Sequence, residues 1–295
     1  MKIGLLTVGI GPAARPATLR ILAENCERLG FGTLWAAEHV VLFDQYPDTK
    51  YPYSDDGAFG APSTVDWTDP FIGLTYVAAL TRRIRLATGI CLVPEHNPLI
   101  LAKVVASLDY LSGGRFALGV GVGWSSEEFA ALGIPFARRA QRTREYIDVM
   151  RKLWGEEKAS FSGEFVNFKD ARSFPKPAQG ANIPIIFGGE SGPALRRVAD
   201  YGTGWFGFNT NPEQAVAKIA RLKELLRERN RDPGSVELIV SPYLQQVTRE
   251  DLAGYREAGV SEVVILCPPP EDDAELPPML EKLAREWVEP AAKLA

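Results

Sequence analysis

The chain has 295 residues, 46% of them hydrophobic and 24% charged, with a net charge of −4; this is the balance of a globular protein that can bury a core without disulfide or metal staples. The mild acidity gives no reason to expect nucleic acid or an anionic membrane as a partner. Nothing approaches the ~20 consecutive apolar residues of a membrane span, the first apolar run is too short for a signal peptide, and Cys26, Cys91 and Cys267, odd in number and without a CxxC spacing, read as reduced thiols of a cytoplasmic protein.

Strand and helix signals alternate along the chain. A first strand is expected over 3–8 and a helix over 16–29, where Leu19, Ile21, Leu22, Cys26 and Leu29 form an apolar stripe and Gly30 closes it. A second strand follows over 33–37. Asp69 caps, and Pro70 opens, a helix carrying Ile72, Leu74, Tyr76, Val77 and Leu80. The third strand spans 84–90. Asn97 and Pro98 repeat the cap-plus-proline signal before a helix over 99–111, and the fourth strand spans 115–122. Then come a helix over 138–153, a strand over 183–187, a helix starting over 193–199 and a strand over 204–208. A long amphipathic helix over 212–229 has Val216, Ile219, Leu222, Leu225 and Leu226 on one side. A strand over 236–240, a helix over 248–258, a strand over 263–266 and a helix over 277–288 complete the chain.

Eight near-continuous apolar strands separated by helices imply a parallel sheet covered on both faces. The class is α/β. The count fits a (β/α)8 TIM barrel forming one domain over 1–295, with insertions after strands 2 and 4; an open doubly wound sheet is the competitor. The first insertion, 40–67, carries Phe43, Tyr46, Tyr51, Tyr53, Phe59 and Trp67, rings that either pin a long loop to the barrel or wall an apolar pocket at its mouth. The second covers 160–182.

Ligands of parallel α/β proteins bind at the C-terminal ends of the strands. His39, one of two histidines, falls just after the second strand, where an imidazole can exchange protons near neutral pH; a structural histidine bonded to a carbonyl is the alternative. Glu38-His39 and Glu95-His96 form two similar pairs at neighbouring strand ends. They could hold a metal for a barrel hydrolase, but no HxH or HExxH spacing accompanies them, and no metal site is expected. Gly119, Gly121 and Gly123 match a dinucleotide fingerprint poorly. They read as a strand end bared for a flat ring, or as a tight bend. Gly188-Gly189-Glu190-Ser191-Gly192-Pro193 runs from a strand into a helix start. It suits a phosphate, with ordinary capping by Ser191 as the alternative.

Taken together, Trp35 to His39, Asp69-Pro70, 84–90, Asn97-Pro98, 108–115, 118–124, Glu127-Glu128-Phe129, 138–145 and Gly189 to Pro193 resemble the bacterial luciferase-like superfamily. Within it they are most similar to the branch of oxidoreductases that use the deazaflavin coenzyme F420. The resemblance covers the chain to about residue 210 and implies a (β/α)8 barrel with a flavin or deazaflavin at its mouth. It implies His39 as the catalytic residue beside the ring and a non-prolyl cis peptide at Gly89–Ile90 backing it. Gly121, Val122 and Gly123 would run alongside the ring, while Gly189, Glu190, Ser191, Gly192 and Pro193 take the phosphate. Trp35 and Trp124 would face substrate. Sugar-phosphate dehydrogenases of the branch carry Glu at the position of Trp124, and luciferases carry Arg at that of Val122, which disfavours such a substrate and FMN respectively. The expectation is hydride transfer between F420 and a small apolar substrate, by a homodimer. The runner-up is an FMN-dependent monooxygenase fed by a flavin reductase.

Overall fold

The computed structural model describes residues 1–294. In chain order the elements are β1 (Lys2–Leu6), α1 (Pro16–Arg28), β2 (Thr33–Ala36), α2 (Pro70–Leu80), β3 (Arg85–Thr88), β4 (Cys91–Leu92), α3 (Pro98–Ser112), β5 (Phe116–Gly121), α4 (Ser126–Ala131) and α5 (Arg139–Gly155). A hairpin of β6 (Ala159–Ser162) and β7 (Asn167–Ala171) follows. Then come β8 (Ile185–Gly188), α6 (Gly192–Tyr201), β9 (Gly204–Phe208), α7 (Pro212–Glu228), β10 (Glu237–Ser241), α8 (Asp251–Ala258), β11 (Glu262–Leu266), α9 (Leu276–Leu283) and α10 (Glu289–Lys293).

The sheet closes on itself. β1 pairs in parallel with β2, β2 with β3, β3 with β5, β5 with β8, and so on through β9, β10 and β11 back to β1. This is the (β/α)8 barrel, and the doubly wound sheet is set aside. Beyond β3 the chain steps out at Gly89–Ile90, whose peptide is cis, and resumes as β4 against β5, with Cys91 opposite Val120.

Alternation along each strand builds two cores. Leu6, Trp35, Ala87, Ala117, Ile186 and Phe206 fill the inside of the barrel, while Leu5, Leu34, Leu86, Leu118 and Ile185 face the helices. The caps read from sequence at Asp69 and Asn97 are formed: Asp69 accepts from the Ile72 amide and Asn97 from those of Leu99 and Ile100. The structure adds a capping box between Asn211 and Gln214 at the start of α7.

Several expectations change. Ile72 is 70% exposed, because α2 buries the face of Phe71, Leu74, Val77 and Ala78. Val216 is half exposed, and Ala215 takes its place on the buried side of α7. The segment 160–182 contains the antiparallel hairpin. The last helix is longer than expected: α9 passes through a π turn, Ala284–Val288, into α10.

Candidate functional site

The mouth at the C-terminal ends of the strands opens into a cavity of about 370 Å³. Leu6, Ile90, Phe206 and Leu266 form its floor, and Trp67, Trp124, Phe208 and Tyr243 its walls. The 40–67 insertion folds over it and brings in Tyr51 and Phe59. Tyr51 meets Phe59 and Trp124 edge to face, as aromatic quadrupoles prefer, at 5.0 and 5.2 Å, and Phe59 lies tilted 5.7 Å from Trp124. The insertion therefore walls the pocket and pins the loop at once. A groove of about 430 Å³ between α7 and α8 lies on the outside of the barrel, away from the mouth residues.

His39 enters from the end of β2 and lines this cavity. Its ring sits 4.9 Å from Phe59 and 5.1 Å from Trp67. Nδ1 lies 3.0 Å from Oε2 of Glu128. The other Glu128 oxygen accepts the Val40 amide at 2.6 Å and the Val41 amide at 3.4 Å. With a carboxylate on Nδ1, the hydrogen-bond network assigns the proton to that nitrogen and leaves Nε2 to accept a proton or, in the imidazolium, to give one. Nε2 has no partner among the described residues.

Glu128, which holds the His39 ring, was named in the sequence only within Glu127-Glu128-Phe129 and given no role of its own. Its helix, α4, has six residues and is capped by Ser125, whose Oγ accepts the Glu128 amide at 3.2 Å. The Ser125-x-x-Glu128 spacing is the signal that could have found it. The neighbouring Glu127 accepts the amides of Asp48 and Thr49 and the Thr49 hydroxyl. Burial opposes the charge of Glu127, but these donors hold its carboxyl down at about 2. Consecutive glutamates thus fasten the insertion and orient the imidazole.

The Glu-His pairs of the sequence exchange partners. Glu38 bonds to His96 Nε2 at 2.9 Å and to the Leu92 amide, while His39 goes to Glu128. Burial disfavours the His96 cation, yet the Glu38 bond and charge, with Asp69, raise its pKa. Glu38, Cys91 and His96 bring three possible ligand atoms within 4.8 Å, but both Glu38 oxygens already have partners. A hydrolase centre of Glu38, His39, Glu95 and His96 is not assembled, because His39 is drawn to another carboxylate. Glu95 is 7% exposed, and both of its oxygens lack partners. Burial, with the charges of Glu128 and Glu38, pushes it up to about 9, so it is a neutral acid at pH 7.

The expected cofactor residues divide. Gly89, Ile90, Gly189 and Trp124 line the cavity. Gly121, Val122 and Gly123 do not. A Cβ on Gly121 would fall 2.3 Å from Ile90 Cδ1, and one on Gly123 2.5 Å from Phe129. Gly121, at the end of β5, and Gly123 just beyond it are required by the side chains that the step at Gly89–Ile90 and α4 press against them. Trp35 is fully buried in the barrel interior, stacked 5.0 Å from Phe206, with Nε1 on Glu262 at the far end of β11. It belongs to the floor's foundation and does not face substrate space.

Glu190, Ser191, Gly192 and Pro193 lie beyond the cavity rim. Ser191 caps α6 by accepting the Ala194 amide at 3.3 Å. Glu190 turns away from the helix start, accepting the Phe208 amide and, at 2.9 Å, the Tyr53 hydroxyl. Burial raises the Glu190 pKa against the pull of those donors. Nearby, Arg197 Nε is buried without a partner.

The fold is that of known redox enzymes. An F420-dependent secondary alcohol dehydrogenase superposes with a TM-score of 0.77 at 18% identity, covering 98% of both chains. Monooxygenase RslO1 from Streptomyces bottropensis gives 0.73 at 22% identity, covering 98% of this chain and 99% of its own. An uncharacterized protein of Mycobacterium tuberculosis is 34% identical over 273 residues, 91% of this chain and 92% of the relative. The model of the luciferase-like monooxygenase family matches residues 3–262. With the closed barrel and a histidine at its mouth, that match across nearly the whole chain shows that the protein belongs to the luciferase-like monooxygenase family of oxidoreductases.

Proposed function

We propose that the protein is a coenzyme F420-dependent oxidoreductase acting on a small, apolar organic substrate that carries a carbonyl or polarised double bond. The observation that carries this reading is His39, held through Nδ1 by Glu128 with Nε2 unpartnered inside an aromatic cavity. The cavity also fits the cofactor. Apolar floor and walls, with bare backbone at Gly89, Gly188 and Gly189, suit a flat ring, and a partnerless guanidinium beyond the rim suits an anionic side chain.

F420, when bound, supplies or accepts the hydride. His39 Nε2 moves the proton that balances it, giving it to the substrate oxygen in reduction and taking it in the reverse direction. Glu128 keeps the imidazole in the right tautomer and orientation. Tyr51, Phe59, Trp67 and Trp124 exclude water and hold the substrate's apolar part. Among the described residues no helix is long and apolar enough to cross a membrane, which agrees with the proposed cytoplasmic setting. Ile72 on α2 and Leu99, Ile100, Tyr110 and Leu111 on α3 leave apolar side chains outside, which supports a homodimer.

Side-by-side titrations of the purified protein should favour F420 over FMN by at least tenfold, about 1.4 kcal/mol. Tighter FMN binding would overturn this and promote an FMN-dependent monooxygenase supplied by a flavin reductase. The aromatic cover over the cavity, which protects a water-sensitive reaction, is the observation that favours that second reading.

A further inference from the structure

We propose that Glu38 and His96 form a proton relay through the wall of the barrel mouth, joining solvent to the cavity beside His39. It rests on the reading of His39 as the residue that exchanges the reaction's proton, and it supplies the way that proton is replaced.

The need for a relay follows from the His39 pair. Glu128 keeps a proton on Nδ1 and does not line the cavity. Its other oxygen is held by the Val40 and Val41 amides. Only Nε2 is left to exchange. When Nε2 gives its proton to a substrate oxygen, an N–H bond breaks, an O–H bond forms and the imidazolium becomes neutral. One proton must then return to Nε2 from the cavity side. In the oxidative direction one must leave by that side. The cover there is aromatic, made of Tyr51, Phe59, Trp67 and Trp124, and offers no proton path of its own near neutral pH.

Glu38 is the one carboxylate among the residues that line the cavity. It directly precedes His39, so their Cα atoms stand about 3.8 Å apart. One of its oxygens accepts the amide of Leu92, itself a lining residue. The other lies 2.9 Å from His96 Nε2.

The His96 ring carries the line outward. Its side chain is 23% exposed, against 3% for Glu38. With a carboxylate on Nε2, the hydrogen-bond network assigns a proton to that nitrogen. Nδ1 has no partner among the described residues and is not one of the buried unpartnered atoms, so it meets solvent. An imidazole placed in this way takes a proton on one nitrogen and releases another from the second. A proton entering at Nδ1 thus frees the Nε2 proton for Glu38, and Glu38 passes it across the cavity to His39. The two Glu-His pairs do different work: Glu128 clamps its histidine, while Glu38 hands protons on.

The surroundings keep the relay supplied. Asp69, at the start of α2, and Glu38 act on His96 and raise its pKa. Cys91 on β4 faces Glu38, Glu95 and Asp69, and its thiol stays protonated. Glu95, in the turn after β4, faces Glu38 and Glu128 and keeps its own proton. Phe71 packs edge-on against the His96 ring at 6.2 Å.

The test uses apo-protein isotopically labelled on its histidines, of which there are two, so that each ring is read separately. Near the His39 midpoint, relaxation-dispersion NMR measures how fast that ring gains and loses its proton. His96→Gln keeps an N–H donor for Glu38 but passes no proton. It should slow the exchange by about tenfold or more and leave the His39 midpoint within ~0.5 pH of wild type. His96→Ala should be slowed alike. Free imidazole in the buffer should restore its rate and leave His96→Gln slow. Glu38→Gln keeps an acceptor for the Leu92 amide and should match His96→Gln; it decides the matter if the His96 variants do not fold. Wild-type exchange rates in the variants overturn the relay, because protons then enter through the mouth. A moved midpoint at an unchanged rate also overturns it, since His96 then acts by its charge alone. No cofactor is added. If neither F420 nor FMN binds, the cofactor reading falls, and the exchange rates still decide the relay.

Discussion

His39 Nδ1 stands 3.0 Å from Glu128 Oε2, a pairing across 89 residues that ties the end of β2 to the helix after β5. The imidazole is therefore aimed by an element rooted in a different stave of the barrel. Replacing His39 with Ala should slow turnover by roughly 10²–10⁴-fold, the scale of a lost general acid or base, with cofactor Kd nearly unchanged. Wild-type rates in steady-state kinetics would remove His39 from the reaction.

Glu128→Ala frees the imidazole and also strands the Val40 and Val41 amides. We expect kcat to fall by about tenfold or more while cofactor Kd holds, because Glu128 acts through His39 and does not line the cavity. In the His39→Ala background the same change should add little to the kinetic loss. Additive losses in that double variant would mean that Glu128 has a separate role.

Glu95 gives the protein a pH signature. Its folded value, about 9, lies above the ordinary 4.5 of a glutamate. The folded state thus keeps a proton that the unfolded chain gives up. Stability from this group is fully present below pH ~4.5, falls as pH rises by up to about 1.4 kcal/mol per unit, and levels off above pH ~9. Glu95→Gln, which is neutral throughout, should flatten that decline and be the more stable protein near pH 9. Urea denaturation at several pH values reads it, and parallel curves for the two proteins would refute the assignment.

Ser191→Ala should cost about 1 kcal/mol of stability, since the hydroxyl caps α6. The capping bond gives Ser191 a structural role of its own, so the apo-protein Tm should drop. An unchanged Tm would show that the cap contributes nothing.

The barrel was legible because each stave is a short apolar run and because two of the helices between them open on a capping residue with a proline behind it, Asp69-Pro70 and Asn97-Pro98. The placement of His39 at the mouth followed from the same pattern. Periodicity does not say which face of a strand meets the barrel interior at which depth, and so Trp35, three residues before Glu38, went to the core. Nor does it say who pairs with whom. Glu38 and His96 meet across 58 residues, a relation set by the parallel pairing of β2 with β3. The glycines at the end of β5 were visible, but their causes lie elsewhere in the chain: the Thr88 carbonyl against Gly119, the Ile90 side chain against Gly121 and Phe129 against Gly123.

The cover of the cavity is bolted down at separate points: Trp67 Nε1 to the Ala37 carbonyl at 3.0 Å, Thr49 to Glu127, and Tyr53 to Glu190. All its rings before Trp124 come from one uninterrupted stretch of chain, and none of that stretch is a stave. Proton transfer and barrel closure are thus encoded apart from much of the surface that a substrate meets. A new selectivity can arise by exchanging this single segment, provided that Thr49, Tyr53 and Trp67, the residues that fasten it, are retained.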